Sequence, residues 1–382
     1  MSDPTQILTG LRVIELGHSV AAPVCAQALG DLGAEVIKIE NPGKGDDARS
    51  WAPPFWEGTS ATFQSVNRNK ASVCLDLKDE KQRDWLRALA RESDVFVQNM
   101  RPGLVERYGL DAPALRTENP RLIYCNVRAY GDAGPLADKP GYDPLIQAFS
   151  GVMSTTGEPG RAPVRTGPSV IDIGTGMWAA IGVLAALLRR KETGEGAVID
   201  VSLLETALAM MALPIANTMA SGRDPGPSGT ETPMLAPYRA FRAQDNFIVI
   251  AAGNDNLFRK LCGVLGRPEW PEDARYRTNP ERVANRVALN AAIQDIIATH
   301  TAAYWTDALN AADVPCAPVQ SVNAAINHPQ TQATGAIGDT PDGKLRLVRT
   351  PLKLNGVRPP IRSAPPALGA DTKRFLGEGE PR

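Results

Sequence analysis

Apolar positions in the first third of the chain fall into short, nearly uninterrupted blocks separated by segments with helical spacing. RVIEL (Arg12 to Leu16), EVIKIE (Glu35 to Glu40), SVCLDL (Ser72 to Leu77), DVFVQN (Asp94 to Asn99) and RLIYCNV (Arg121 to Val127) have the length of strands. Blocks apolar on consecutive positions suit strands buried on both faces. Between them, CAQALGDLG (Cys25 to Gly33) and the amphipathic run from Asp79 to Glu92 predict helices. Strands alternating with helical crossovers predict an α/β fold with a mainly parallel sheet. Ligands of such sheets bind beyond the strand carboxyl ends, where Gly and polar residues follow here.

Further along, a long helix is predicted over Gly176 to Lys191, then a turn at ETGEG, a short AVIDV strand and a second helix from Leu203 to about Met219. The uncharged stretch Ile173 to Leu188 is shorter than the ~20 residues that span a bilayer, and a buried helix is expected there. SGRDPGPSGTETP (Ser221 to Pro233) has no periodicity and predicts a linker or mobile loop. Beyond it, YRAFRA, FIVIAAG and helices near Asp255–Leu265, Arg282–Thr299 and Ala303–Ala312 predict a smaller α+β domain. The expected organisation is therefore a large domain over 1–220, a linker over 221–235, a small domain over 236–327 and a return segment over 328–382. That last segment has too few apolar positions for a core of its own and is expected to pack on the large domain.

Composition narrows the function classes. The 382 residues carry 41 Lys plus Arg against 42 Asp plus Glu, so no basic field favours nucleic acid or an anionic membrane as partner. Five widely spaced cysteines, with no CxxC pair, read as reduced thiols. The amino-terminal MSDPTQILTGLRVIELG lacks the pattern of a secretory leader, so a cytoplasmic location is expected.

The three histidines, His18, His300 and His328, are too dispersed for HExxH, and no metal site is expected. Gly174, Gly176 and Ala179 satisfy GxGxxG/A literally, but Asp172 would set a carboxylate against the pyrophosphate that such a turn binds. Read otherwise, Asp172 sits at the positive end of a long helix, which would keep it ionised as a nucleophile. Gly174 and Gly176 would then clear space for a bulky thioester; the plain alternative is that Asp172 only caps the helix. Lys38, Lys44, Arg49, Arg68, Lys70, Lys78, Asn99, Arg101, Arg107 and Lys139 stand near strand ends as possible phosphate donors or solvated surface groups. Trp51 and Trp56 read as core or loop anchors.

LTGLRVIELG, DLGAEVIKIENPGKGDDAR, NRNKASVCLDLK, VQNMRPG, GYDPLIQAFSG and DIGTGMWAAIGVLAALLRRKETGEGAVIDVSLLE together resemble the family III CoA-transferases, the formyl-CoA and carnitine CoA-transferase group. PYRAFRAQDNFIVIAAGNDNLF, VPCAPVQSV and PPALGADTKRFL extend the resemblance almost end to end. It implies a Rossmann-like large domain built from both chain ends, a small domain between them, and an interlocked homodimer. It also implies a CoA-transferase using coenzyme A and acyl-CoA as substrates, with no permanently bound cofactor. Asp172 matches the catalytic aspartate, which would form a covalent aspartyl-CoA thioester. Val20, Ala21, Leu75, Lys78, Asn99, Arg101, Arg107, Lys139, Tyr142 and Asp143 fall where relatives contact CoA.

Val20 replaces a polar amide of the formyl-CoA enzymes, and their glycine run is missing, which counts against formate and oxalate. GDDARSWAPPF and PVRTGPSVID look closer to relatives that use succinyl-CoA and dicarboxylic acids. Arg49, Trp51 and Arg165 are the substrate candidates, with either arginine pairing the carboxylate that does not react, or else a protein carboxylate such as Glu158 or Asp47. A 2-methylacyl-CoA racemase on the same fold is the alternative enzyme; it pairs its aspartate with a histidine where this chain has Tyr142, a poor proton carrier at neutral pH. A non-catalytic CoA-binding protein is the alternative outside enzymes.

Overall fold

Five of the apolar blocks and the later AVIDV segment pair into one parallel sheet. In the computed structural model, which describes residues 3–377, these strands are β1 (Arg12–Leu16), β2 (Glu35–Glu40), β3 (Lys70–Cys74), β4 (Val95–Gln98), β5 (Ile123–Arg128) and β6 (Val198–Ser202). Their order is β3-β2-β1-β4-β5-β6, every pair parallel. This is the doubly wound order whose direction reverses between β1 and β4, and ligands settle at that switch point. One face of the sheet buries Val13, Val36, Val95, Ile123 and Cys125 under helices; the other buries Ile14, Ile37, Phe96 and Tyr124.

Helix α1 (Ala21–Asp31) begins four residues before the predicted start. Pro23 lies in its first turn, where a missing N–H costs nothing. After α2 (Glu80–Arg91) and α3 (Asp143–Phe149) comes α4 (Val170–Thr193), which begins six residues before its predicted start. Its two glycines are therefore inside the helix. A Cβ on Gly176 would stand 2.6 Å from the Ala21 carbonyl oxygen, and one on Gly174 2.2 Å from the Met210 methyl. They let helices approach one another and do not clear space over Asp172, which corrects the sequence reading.

Helix α4 has length and hydropathy enough to cross a membrane, with half of its apolar window buried in the protein. It is buried on one side only, since Met177, Trp178, Ile181 and Leu188 remain at least half exposed. The second predicted helix is two, α5 (Leu203–Met210) and α6 (Ala212–Ser221), bent by 65°. Pro214 explains the break: its ring clashes with the carbonyl four residues back.

The chain divides into two units, one of residues 1–153, 165–223 and 330–382, the other of residues 154–164 and 224–329. Residues 154–164, assigned to the large domain from sequence, belong to the second unit. That unit has an antiparallel sheet of Tyr238–Arg242, Phe247–Ala251 and Cys316–Pro318 covered by helices including Asp255–Val264, Arg286–Ile297 and Ala302–Ala311. The segment read as a mobile linker is tied down in this unit by Glu231, which pairs with Arg239 at 2.5 Å and accepts from Asn290. In the first unit the carboxyl-terminal segment caps the open edge at β3, where Asp371 bonds both the N–H and the carbonyl of Ser72. Covering an edge strand this way blocks pairing with foreign chains.

Candidate active site

A cleft of about 540 Å³ opens at the carboxyl ends of the six parallel strands. Leu16 to Ser19 lie at the end of β1, Ile39 to Asn41 at the end of β2, and Leu75 to Lys78 follow β3; Asn99 to Arg101, Arg128 and Leu203 come from the ends of β4, β5 and β6. Strand order alone thus explains why sequence-distant residues meet there.

The turn from β1 into α1 is held by side chains on every side. Lys38 donates to the Gly17 carbonyl (2.8 Å), Asp46 accepts from the Ser19 N–H (2.9 Å), and Asn99 both accepts from the His18 N–H (2.9 Å) and donates to the His18 carbonyl (2.8 Å). Behind the turn, Lys38 bridges Glu15 (2.7 Å) and Asp46 (2.8 Å), and Glu15 also meets Lys70 (2.7 Å), all four side chains fully buried. Burial works against the Lys38 charge, yet Glu15, Asp46 and Glu40 outweigh it and hold its pKa above the ordinary value. Burial lowers that of Lys70 to about 8.

Asp172 is the third residue of α4 and also lines the cleft. It is not the helix cap. Asp143, itself buried, accepts from the N–H groups of Ile171 (2.8 Å) and Asp172 (3.1 Å) and from Gln147 (2.5 Å). The amides that would have stabilised an ionised Asp172 are already occupied, and its own carboxylate has no hydrogen bond or ion pair among the described residues. Burial, then repulsion from Asp143, pushes its pKa up to about 7. The expectation that the helix end keeps Asp172 fully ionised is corrected accordingly.

Of the residues carried over from the resemblance, Ala21, Leu75, Lys78, Asn99, Arg101, Lys139 and Tyr142 line the cleft with Asp172. Val20 is buried just beside it, and exposed Arg107 sits on the short helix Leu104–Arg107. Asp143 points inward to cap α4, so its side chain is not on the cleft surface. Asn99 spends its amide on His18. Arg49 is taken by Glu40 (2.8 and 2.6 Å) and stacks 3.7 Å over Phe63. It is therefore not open to a substrate carboxylate. Arg165 is exposed, donates to the carbonyls of Thr166 and Gly167, and like Trp51 does not line the cleft.

His18, Ser19, Asp46 and Arg128 also line it and escaped the sequence reading. His18 and Ser19 come just after β1 and Arg128 is the last residue of β5, so position at a strand end was their signal; Asp46, six residues beyond β2, offered none. Lys38, Lys70 and Arg68, read as possible phosphate donors, are buried ion-pair partners instead, Arg68 with Asp31 at 2.5 Å. Among the described residues, no group of three or more His, Cys, Asp or Glu could hold a metal ion.

Residues 8–372 match the profile described as CoA-transferase family III. A succinate–glutarate CoA-transferase of Agrobacterium fabrum is 39% identical over 387 residues, covering 98% of this chain and 96% of that protein. An acetyl-CoA:oxalate CoA-transferase of Acetobacter aceti is 40% identical over 352 residues, covering 92% and 90%. The crystal structure of a CAIB/BAIF family protein from Brucella suis superposes with a TM-score of 0.88 at 38% identity, covering 97% of this chain and 98% of that one. The chain belongs to CoA-transferase family III and is a CoA-transferase. Enzymes of this class act on a CoA thioester and a carboxylic acid.

Proposed function

We propose that the enzyme moves CoA from succinyl-CoA to a dicarboxylic acid through a covalent intermediate on Asp172. The observation that carries this reading is the Asp172 carboxylate, without a polar partner among the described residues, in a cleft that Lys44, Lys78, Arg101 and Lys139 also line. Those cations suit the phosphates of CoA. An Asp172 oxygen attacks the thioester carbonyl and the C–S bond breaks, giving a mixed anhydride and CoA thiolate. The thiolate then attacks the Asp172 carbonyl, releasing the donor carboxylate and leaving an aspartyl-CoA thioester. The acceptor carboxylate repeats the two steps in reverse. One thioester is exchanged for another, so neither ATP nor net redox change is needed.

The dicarboxylate class rests on the names of the relatives, glutarate and oxalate both being diacids. Arg165, though outside the cleft lining, stays the candidate for the second carboxylate, since it has no acidic partner among the described residues and lies seven positions before Asp172. A homodimer is part of the proposal: Met177, Trp178, Ile181 and Leu188 on α4, with Leu213 (74% exposed) and Met219 (81%) on α6, form apolar surface of the kind a second copy covers. Five free thiols suit a reducing cytoplasm.

Mass spectrometry of the Asp172 peptide after exposure to succinyl-CoA tests the mechanism. A CoA-sized increment on that peptide is expected, together with a loss of turnover of about 10³-fold or more in Asp172→Ala. No adduct, with turnover retained to within about tenfold, overturns it.

A further inference from the structure

The turn Gly17–Ser19 joins the first strand to the first helix at the point where strand order reverses, and its backbone polar groups are met by side chains from elsewhere. Lys38 holds the Gly17 carbonyl, Asn99 holds both polar groups of the His18 backbone, and Asp46 holds the Ser19 N–H. Ser19 is kept at φ 70°, a left-handed conformation that side-chain-bearing residues rarely adopt. Such conformations persist when the surroundings over-determine them, and they cluster at ligand-binding sites. The same charged set reaches the far side of the turn, where Lys70 donates to the Pro23 carbonyl in the first turn of α1 (2.9 Å).

A set of buried ion pairs is weak evidence for stability, because apolar residues of the same volume often serve as well. What apolar residues could not do is bond Gly17 and Ser19 from opposite sides. We propose that Asp46, anchored by Lys38, is a positioning residue that holds the Gly17–Ser19 turn in its ligand-ready shape. The turn lines the cleft with Asp172, so the set acts on acyl-CoA affinity through the backbone of a preformed surface. This rests on the reading of the cleft as the acyl-CoA site.

Asp46→Ala removes the acceptor of the Ser19 N–H, whereas Asp46→Asn keeps an oxygen there. In the full-length enzyme, Asp46→Ala is expected to raise KM for succinyl-CoA about tenfold or more while kcat stays within about threefold, and Asp46→Asn to restore most of the difference. Amide exchange of the peptide spanning residues 17–20 is expected to quicken about tenfold in Asp46→Ala, with other core peptides unchanged. A merely structural role would lower active enzyme without this split and without rescue. Unchanged exchange at residues 17–20 in Asp46→Ala overturns the positioning role itself. Faster exchange there with an unchanged KM also overturns the proposal, and locates the fault in the cleft reading. Should Asp46→Ala not fold, Ser19→Pro supplies the second variant: it deletes the same N–H and forbids the positive φ, and an unchanged KM there is equally decisive.

Discussion

Asp46 and Asp172 are two acids of the cleft wall, and they are built in opposite ways. Asp46 accepts from the N–H groups of Ser19 and Ala48 and pairs with Lys38 at 2.8 Å. Burial works to raise its pKa, but Lys38 and those amides outweigh it and hold it below the ordinary carboxylate value. Asp172 has burial without partners, and Asp143 beside it adds a like charge, so its pKa climbs to about 7. Burial opposes ionisation at both sites; the partners decide the outcome. On the proposed reading, the acid with partners holds the turn in shape and the acid without them is the one that reacts.

The contrast is broken most directly from the partnered side. Lys38→Met fits the same volume but leaves Glu15 and Asp46 without their shared ammonium, and breaking a buried pair this way costs about 3–5 kcal/mol. Urea unfolding at neutral pH is expected to show that loss. A loss below about 1 kcal/mol would mean that the carboxylates find water, and that the two acids differ less than their contacts indicate.

Lys38 and Glu15 also show what was legible in the sequence. The sheet could be read because its strands are apolar blocks, and helical crossovers between them dictate parallel pairing. EVIKIE and RVIEL announce buried strands, and the charge inside each was itself a signal that a partner must be buried with it. Which partner could not be read: Glu15 meets Lys38 only because β1 lies beside β2 in register. Arg49 likewise meets Glu40 across a turn, and no spacing rule distinguishes that carboxylate from Asp47. Asp172 was picked out by its place before a long helix, yet the helix start was misplaced because two glycines read as a turn. They are packing positions, visible only once α1 and α5 lie against α4.

The unpartnered side predicts a smaller effect whose sign depends on pH. Asp172 has a folded-state pKa of about 7 against an ordinary 3.8. The folded protein therefore holds the proton more tightly, and between these values it loses stability relative to the unfolded chain as pH rises. Asp172→Asn removes that penalty. It is expected to match the parent near pH 4 and to exceed it at pH 8 by roughly 2–4 kcal/mol, as read by urea unfolding. If Asp172 is the nucleophile, kcat/KM of the parent is expected to rise as pH passes 7, because the attacking carboxylate must be ionised in the free enzyme. Equal stability differences at the two pH values would show that Asp172 is solvated or paired.

The smallest effect separates the two arginines along the same line. Arg49 is paired with Glu40, so Arg49→Ala is expected to weaken the fold and leave the choice of acceptor unchanged. Arg165 bonds backbone carbonyls of its own turn and, among the described residues, no acidic group, and an exposed guanidinium held that way remains able to take a carboxylate side-on through two N–H groups. If it pairs the second carboxylate of the acceptor, Arg165→Ala lowers the preference for glutarate over butyrate by about tenfold, the value of one charge-assisted contact. The specificity constants of the two acids, measured with succinyl-CoA as donor, give the ratio directly. A ratio unmoved by Arg165→Ala removes this arginine from substrate recognition; a ratio that falls in Arg49→Ala would mean that the Glu40 pair opens during turnover.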